Sequence, residues 1–587
     1  MPAKPPGSRR AALSAADRFP AEERTAALSA PPGSATVDRP PPTNNTGQPR
    51  RRRLSPPWTR RRITAYAAAA MCLALTVVSA SQVGVEPTRL VEGWTDMGNL
   101  LARMTPIETP DYARLAKPLL DTIMMAVTGT ALALLLSVPL AFLAAGNTSP
   151  HPAVRALARA VILGARSIPD LIYALIFVRV LGVGVLPGVL AIAVYSTGMI
   201  GKLFADTIEE VDPGVTQALT AVGARRLHII VTGVLPQVMP SFVSVGLYRL
   251  DMNVAASAIL GFVGAGGIGF ELYTTLRTLQ YQKGLGVALI IIVLVIMVER
   301  LSAVIRGRLI THRDSSVWAV STDGAGRQRL SPPWTRDRIT RLGAIITACG
   351  LTAASFAGLG ISPWTVLRAV PELIAGFADF WPPDFASVAS SLPDALLETL
   401  TIAVTATAIA TLLSVPIAAF AARTVAPHPA VYHAARFVIV LSRGLPPLLM
   451  ALIFVSAFGL GPFAGAIALG LATIGMTAKL MADAIEHLDP GPAAALRAAG
   501  ASRTQQVSTA VIPQVAPSFV STVLFTLDST IRSSTIVGVV GAGGIGFITY
   551  QSVHTLQFHT TTAVLIVIFA TVFIVERCAD LIRKRIL

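Results

Sequence analysis

Residues 263–270 read VGAGGIGF, and the same letters stand again at 540–547. The offset of 277 is shared by motifs spread along the chain. SVP at 137–139 recurs at 414–416, and Asp-Pro-Gly at 212–214 recurs at 489–491. Nearer the start, LSPPWTR at 54–60 returns at 330–336, an offset of 276. A repeat on this scale with so constant a spacing means two copies of one architecture, aligned with hardly an insertion outside the first outer loop.

Composition says in which solvent those copies fold. The 587 residues are 53% hydrophobic and 14% charged, with mean hydropathy +0.63, which is too apolar for a soluble protein of this length. The formal net charge of +16 is concentrated: residues 1–62 carry 13 Lys+Arg against 4 Asp+Glu, and residues 306–341 carry 8 against 3. Both segments abut apolar spans and neither interleaves aromatic residues with its basic runs, so they read as positive-inside topology signals and not as a nucleic-acid surface. Cys72, Cys349 and Cys578 lie in or at the ends of apolar spans, with no metal or disulfide spacing.

Taken in order, residues 1–62 are expected to be a disordered basic cytoplasmic tail, without the pattern of a cleavable signal. Residues 63–305 form a first membrane domain, 306–341 a basic cytoplasmic linker, and 342–587 a second membrane domain. In the first domain the apolar stretches predict spans at 63–82, 122–146, 160–185, 186–201, 235–262 and 284–298, each set against a ~30 Å hydrocarbon core. The short link between the third and fourth requires a tight hairpin. An even number of spans makes the repeats parallel, with both termini cytoplasmic and both long polar loops on that side.

Those loops, 206–236 and 483–513, interrupt the lipid-soluble sequence in the same way. Each offers a helix-breaking Asp-Pro-Gly (Asp212 and Gly214; Asp489 and Gly491), a short helix carrying Ala218 or Ala495, and a Gly-Ala turn. The turns are Gly223-Ala224, followed by Arg225, and Gly500-Ala501. Pro236 and Pro513 close the loops. This predicts a helix–turn–helix below the membrane, and its recurrence points to paired docking sites for two copies of something soluble.

The spacing from Gly223 to Leu235-Pro236, and from Gly500 to Ile512-Pro513, resembles the EAA loop of ABC-importer permeases, although Gln217-Ala218-Leu219 and Ala494-Ala495-Leu496 replace the usual Glu-Ala-Ala. Over 115–305 and 392–585 the chain looks most like phosphonate-type (PhnE) permeases. Arg166-Ser167-Ile168-Pro169-Asp170, Gly201 to Asp206, Leu235-Pro236-Gln237-Val238 and Gly261 to Glu271 carry that likeness. The resemblance implies an all-α polytopic protein of two tandem six-helix permease domains (MetI-like), with about 12 transmembrane helices in the plasma or inner membrane. It also implies partners: two ABC ATPase subunits holding ATP and Mg, and an extracytoplasmic phosphonate- or phosphate-binding protein. No cofactor would sit on this chain, and the cargo would be phosphonate, phosphite or phosphate. A permease for an amino acid or another solute, or an ion-coupled secondary transporter using Asp251 and Asp528, is the alternative.

Two further sets of residues bear on the path. Gly264, Gly266 and Gly267, repeated as Gly541, Gly543 and Gly544, match a GxGxxG pattern but lack the strand before it that a dinucleotide site needs. They read either as a gate element near the outer mouth or as close helix packing. No GxxxxGK[ST] exists, so ATP would be hydrolysed elsewhere. Charged residues inside spans default to functional candidates. Here these are Arg249, Asp251 and Asn253 in the first domain and Asp528 and Arg532 in the second. The arginines read either as forks for a phosphorus oxyanion crossing the pore or as pairs that neutralise themselves, Arg249 with Asp251 two residues on and Arg532 with Asp528 one turn earlier. Arg166 and Arg443 are expected to snorkel to the headgroups.

Overall fold

Long runs of Ala, Leu, Val and Ile without charge form helices, because in a bilayer only intrahelical bonds satisfy the backbone. Proline and glycine then decide where each helix bends or stops. The computed structural model describes residues 60–108, 111–310 and 336–586. The expected tail and most of the expected linker lie outside them. By contacts the chain divides into residues 1–70 and 71–587, and the second unit holds both repeats.

In the first repeat α1 is Arg60–Val83, α2 Pro87–Arg103, α3 Tyr112–Ala144, α4 Pro152–Ser167, α5 Asp170–Leu181, α6 Val185–Glu209 and α7 Pro213–Ala221. There follow α8, Arg226–Val263, α9, Ile268–Arg277, and α10, Tyr281–Ile310. The second repeat runs α11 Arg336–Gly358, α12 Pro363–Ala378, α13 Leu392–Ala421, α14 Pro429–Arg443, α15 Pro447–Phe458, α16 Pro462–Glu486 and α17 Gly491–Ala498. It closes with α18, Arg503–Ala542, α19, Gly544–His554, and α20, Phe558–Ile586. Among the described residues eight helices are long and apolar enough to cross a membrane, or up to eleven when each bent pair is one crossing.

The bends correct the simple span list. The third apolar stretch is two helices, α4 and α5, meeting at 88°, and its twin α14 and α15 meet at 84°. Pro169 in one and Pro446-Pro447 in the other supply no N–H to continue the ladder, which ends the first helix and starts the second. The polar loop is also shorter than expected. Asp206 to Glu209 extend α6, and residues from Arg226 onward already belong to α8, which runs through a π-helical turn at Ile229–Val234. Only the stretch from Glu210 to Arg225 projects.

The repeats are interlocked. Val83 and Met97 from the start of the first share a cluster with Ile402, Phe454 and Phe463 of the second. Conversely Ala369 and Phe380 pack with Leu171 to Phe177 of α5. Each repeat's opening arm thus wraps the other. At the centre α5 buries itself against Val564, Ile568 and Val572 of α20, and Leu449 of α15 lies against Val287, Ile291 and Val295 of α10.

Candidate translocation path and docking loops

The two projecting loops are built alike. Asp212 caps α7 by accepting from Gly214 N–H at 2.8 Å, and Asp489 accepts from Gly491 N–H at 2.9 Å. Gly223 (φ +76°) and Gly500 (φ +80°) turn the chain through the left-handed region that suits glycine. Arg226 then donates to the carbonyls of Thr148 and Ser149, and Arg503 to those of Val425 and Ala426. Glu209 holds Gly146 N–H and Arg159, each at 2.6 Å, while Glu486 holds Arg423 N–H and Arg436, each at 3.0 Å. Arg503, Glu209 and Glu486 escaped the sequence reading. Their one available signal was recurrence at an offset of 277. Ala218, Ala224, Arg225 and Ala495 are exposed or half-exposed, and Pro236 and Pro513 open the regular α-helical stretches of α8 and α18.

Between the repeats the charges behave differently from expectation. Arg166 is buried at the elbow between α4 and α5, where its guanidinium pairs with Glu576 of α20. Arg443, at the twin elbow, pairs with Glu299 of α10. Neither snorkels: the prolines that break the helices place both arginines inside, and each reaches a carboxylate of the opposite repeat. Lys202 Nζ lies 3.5 Å from the same Glu576 oxygen. Gly198 and Gly475 allow this approach, since a Cβ there would stand 2.6 Å from Arg166 N and 2.7 Å from Arg443 N.

The intramembrane residues divide. Asp528 and Arg532 form the expected pair at 2.7 Å. Arg249 and Asp251 do not pair, because residues two apart on a helix face opposite ways and residues four apart share a face. Arg249 instead donates Nε–H to Ser196 Oγ at 3.1 Å and lies over the Tyr195 ring, 4.9 Å from its centroid. Ser196 donates to Asn253 Oδ1 at 2.9 Å, and Asn253 Nδ2 donates to Thr130 Oγ1 at 2.8 Å. The second repeat has Thr407 and Thr530 at the places of Thr130 and Asn253, bonded at 2.8 Å. Asp251 is buried with Oδ2 unbonded. The charges that reach it belong to Glu299, Arg306, Arg443 and Lys479.

The glycine runs form tight turns, with positive φ at Gly264, Gly266, Gly267, Gly541, Gly543 and Gly544. Gly264 C=O accepts from Gly184 N–H at 3.1 Å and Gly541 C=O from Gly461 N–H at 3.0 Å. Ile268 N–H and Ile545 N–H each donate to a threonine hydroxyl, Thr122 and Thr399, at 2.8 Å. A Cβ on Gly261 would stand 2.5 Å from Phe270 N, and one on Gly538 2.6 Å from Gly543 O. These glycines bring helix ends into backbone contact.

A bundle of spanning helices in two matched halves, with charged groups in the interior and twin loops projecting from one face, defines a polytopic membrane permease. The family model for the inner membrane component of binding-protein-dependent transport systems matches residues 137–311 and again 414–587. The chain belongs to that family, with two of its units in one polypeptide. It is 44% identical over 511 residues, 87% of this chain and 93% of the other, to the phosphate-import permease protein PhnE of Mycolicibacterium smegmatis. It is 43% identical over 222 residues, 38% of this chain and 81% of the other, to the phosphite transport system permease protein PtxC of Stutzerimonas stutzeri. Among solved structures, an inward-facing MetNI methionine ABC transporter aligns with 34% of this chain and 99% of its own at 20% identity and a TM-score of 0.32.

Proposed function

We propose that this chain forms the membrane pore of an ABC importer that moves a small phosphorus oxyanion into the cytoplasm. Two separate ATPase subunits, which hold ATP and Mg, dock on the loops around Gly223 and Gly500, and an extracytoplasmic binding protein delivers the anion to the opposite face. Both termini and both loops are cytoplasmic. The observation that carries the reading is the recurrence of one capped, arginine-anchored helix–turn–helix on each half. The phosphate and phosphite named for the relatives support the class of cargo. In the cycle, closure of the ATPases on ATP swings the halves about their interface, opening the path outward, and hydrolysis resets it.

Uptake of labelled phosphate and labelled methylphosphonate in cells, alongside capture of the partner ATPase, tests this. An added Cβ at Gly223 or Gly500 meets nothing within 4 Å, so Gly223→Asp with Gly500→Asp alters the exposed turns and leaves the bundle packed. Uptake and ATPase capture should both fall at least tenfold while the protein still reaches the membrane. Uptake that persists and follows the proton gradient would replace this reading with an ion-coupled carrier built on Asp251 and Asp528.

A further inference from the structure

Arg249 is only 8% exposed in the interior of a membrane protein, yet no carboxylate lies within ion-pair distance of it among the described residues. Asp170, at the start of α5, is a carboxylate that its charge reaches from further away. A buried cation without a partner is costly and persists where something offsets it. The hydrogen bonds around it explain its geometry. Ser196 takes Nε–H and passes its own hydrogen to Asn253, whose amide is held by Thr130, which is in turn bonded to Ala126 C=O at 2.6 Å. The Tyr195 ring covers one face of the guanidinium. With Nε tied and the face covered, the two terminal nitrogens remain. They have no partner among the described residues and are not among the sealed, unbonded polar atoms. A planar guanidinium fork held this way suits two oxygens of one tetrahedral oxyanion.

Only the base of this chain is repeated in the other half, where Thr407 donates to Ala403 C=O at 2.7 Å and bonds Thr530 at 2.8 Å, and the arginine itself is not. The positions 277 later are Ala472, Thr473, Thr526 and Thr530 in place of Tyr195, Ser196, Arg249 and Asn253. The arginine that the second half does have, Arg532, spends its Nη2 on Asp528 and keeps Nη1 sealed and unbonded.

We infer that the chain holds a single, one-sided oxyanion site, formed by the Arg249 fork of the first half and aligned by Ser196, Asn253 and Tyr195, with no counterpart in the second. The inference rests on the phosphorus-oxyanion reading of the cargo and adds where, and how many times per chain, the anion is held.

The test is equilibrium binding of labelled phosphate and of methylphosphonate to the full chain in nanodiscs, with ATPase capture measured on the same samples. Wild type should bind one anion per chain. Arg249→Thr, which installs the second half's residue, should weaken binding at least tenfold, and Arg249→Lys, which keeps the charge but removes the fork, should fall between. In the assembled transporter Arg249→Lys should raise the half-saturating anion concentration while the maximal rate of ATP hydrolysis is kept, a split that loss of packing alone would not give. Retained ATPase capture shows that the variants are folded. Binding of two anions per chain, or undiminished binding by Arg249→Thr, overturns the one-sided site. Absence of anion binding by wild type overturns it as well. If ATPase capture survives in that case, the importer reading stands apart from the site. Loss of capture would count against the importer itself.

Discussion

The two halves fold the same way and differ inside. Arg249 of the first sits on α8 with a hydroxyl and an aromatic ring for company, whereas Arg532 of the second sits on α18 in an ion pair with Asp528. The equivalent acid of the first half, Asp251, has no cation within ion-pair distance among the described residues. Helical spacing decides this, because four residues bring Asp528 and Arg532 onto one face and two residues set Arg249 and Asp251 apart. Duplication has therefore kept the scaffold twofold while the polar interior has become one-sided. Features of the scaffold should respond alike to the same change in either half, and features of the interior should not.

The sharpest probe of the shared scaffold is the pair of ion bridges between halves, Arg166 with Glu576 and Arg443 with Glu299. Arg443→Ala leaves Glu299 buried without a cation at ion-pair distance, since Lys479 is turned toward Asp483 at 3.9 Å. Removing one partner of a buried pair costs about 3–5 kcal/mol. Arg166→Ala should cost less, because Lys202 remains 3.5 Å from Glu576. Thermal unfolding of the purified chain should therefore order the melting points as wild type, then Arg166→Ala, then Arg443→Ala. The reverse order would show that Lys202 does not back up Glu576. Equal losses would make the two bridges equivalent.

Much of the scaffold was legible because it rests on long-range repetition and on local chemistry that repetition underlines. The apolar stretches gave the helices, the glycine and proline spacing gave the turns, and the Asp-Pro-Gly pairs gave the breaks before the short loop helices, where Asp212 and Asp489 each accept a backbone N–H. The elbows were not legible. An apolar run containing Ser167-Ile168-Pro169 reads as one span by hydropathy, and only packing shows that it turns by 88° and carries Arg166 inward. Nor did hydropathy announce Glu299 and Glu576. Each follows the apolar part of a long helix, and its role depends on an arginine in the other half. The Ser196–Asn253–Thr130 chain was hidden for the same reason, since its members come from three helices.

The loops proposed to receive the ATPases share a backbone and differ on the surface. Val222 and Leu227 stand exposed on either side of the first turn, where the second loop has Ala499 and Thr504. Burial of such side chains against a partner is worth roughly 1.5–3 kcal/mol each when complete. Converting the first loop to the second, with Val222→Ala and Leu227→Thr, should weaken capture of one of two ATPase subunits about tenfold, or ~1.4 kcal/mol. The reciprocal change, Ala499→Val with Thr504→Leu, should strengthen the other. Titration of the ATPase onto nanodisc-held chain reads both. Equal binding steps in wild type would make the loops interchangeable despite their surfaces.

The smallest expected effect lies at the opposite face, where the opening acids of the two halves, Asp384 and Glu108, are held differently. Asp384 accepts from Ala386 N–H at 3.0 Å and Ser387 N–H at 3.2 Å, and these bonds, that of Ser387 foremost, hold its carboxyl below the ordinary value of 3.8. At the offset of 276 that the chain keeps near the start of each repeat, Pro106 answers Pro382 and Glu108 answers Asp384, and Glu108 faces Lys283 at 3.8 Å. A carboxylate whose folded value is depressed lends its stability above the unfolded value and loses it as pH falls through the folded one. The stabilisation is therefore complete at neutral pH and is lost below pH 3.8. Hydrogen exchange at the Ala386 and Ser387 amides should accelerate, relative to the intrinsic rate, as pH drops through that range. Asp384→Asn should abolish the pH dependence while leaving exchange in α2, the opening arm of the other half, unchanged. An equal acid-dependent change in α2 would show that the turn is not what distinguishes the two arms.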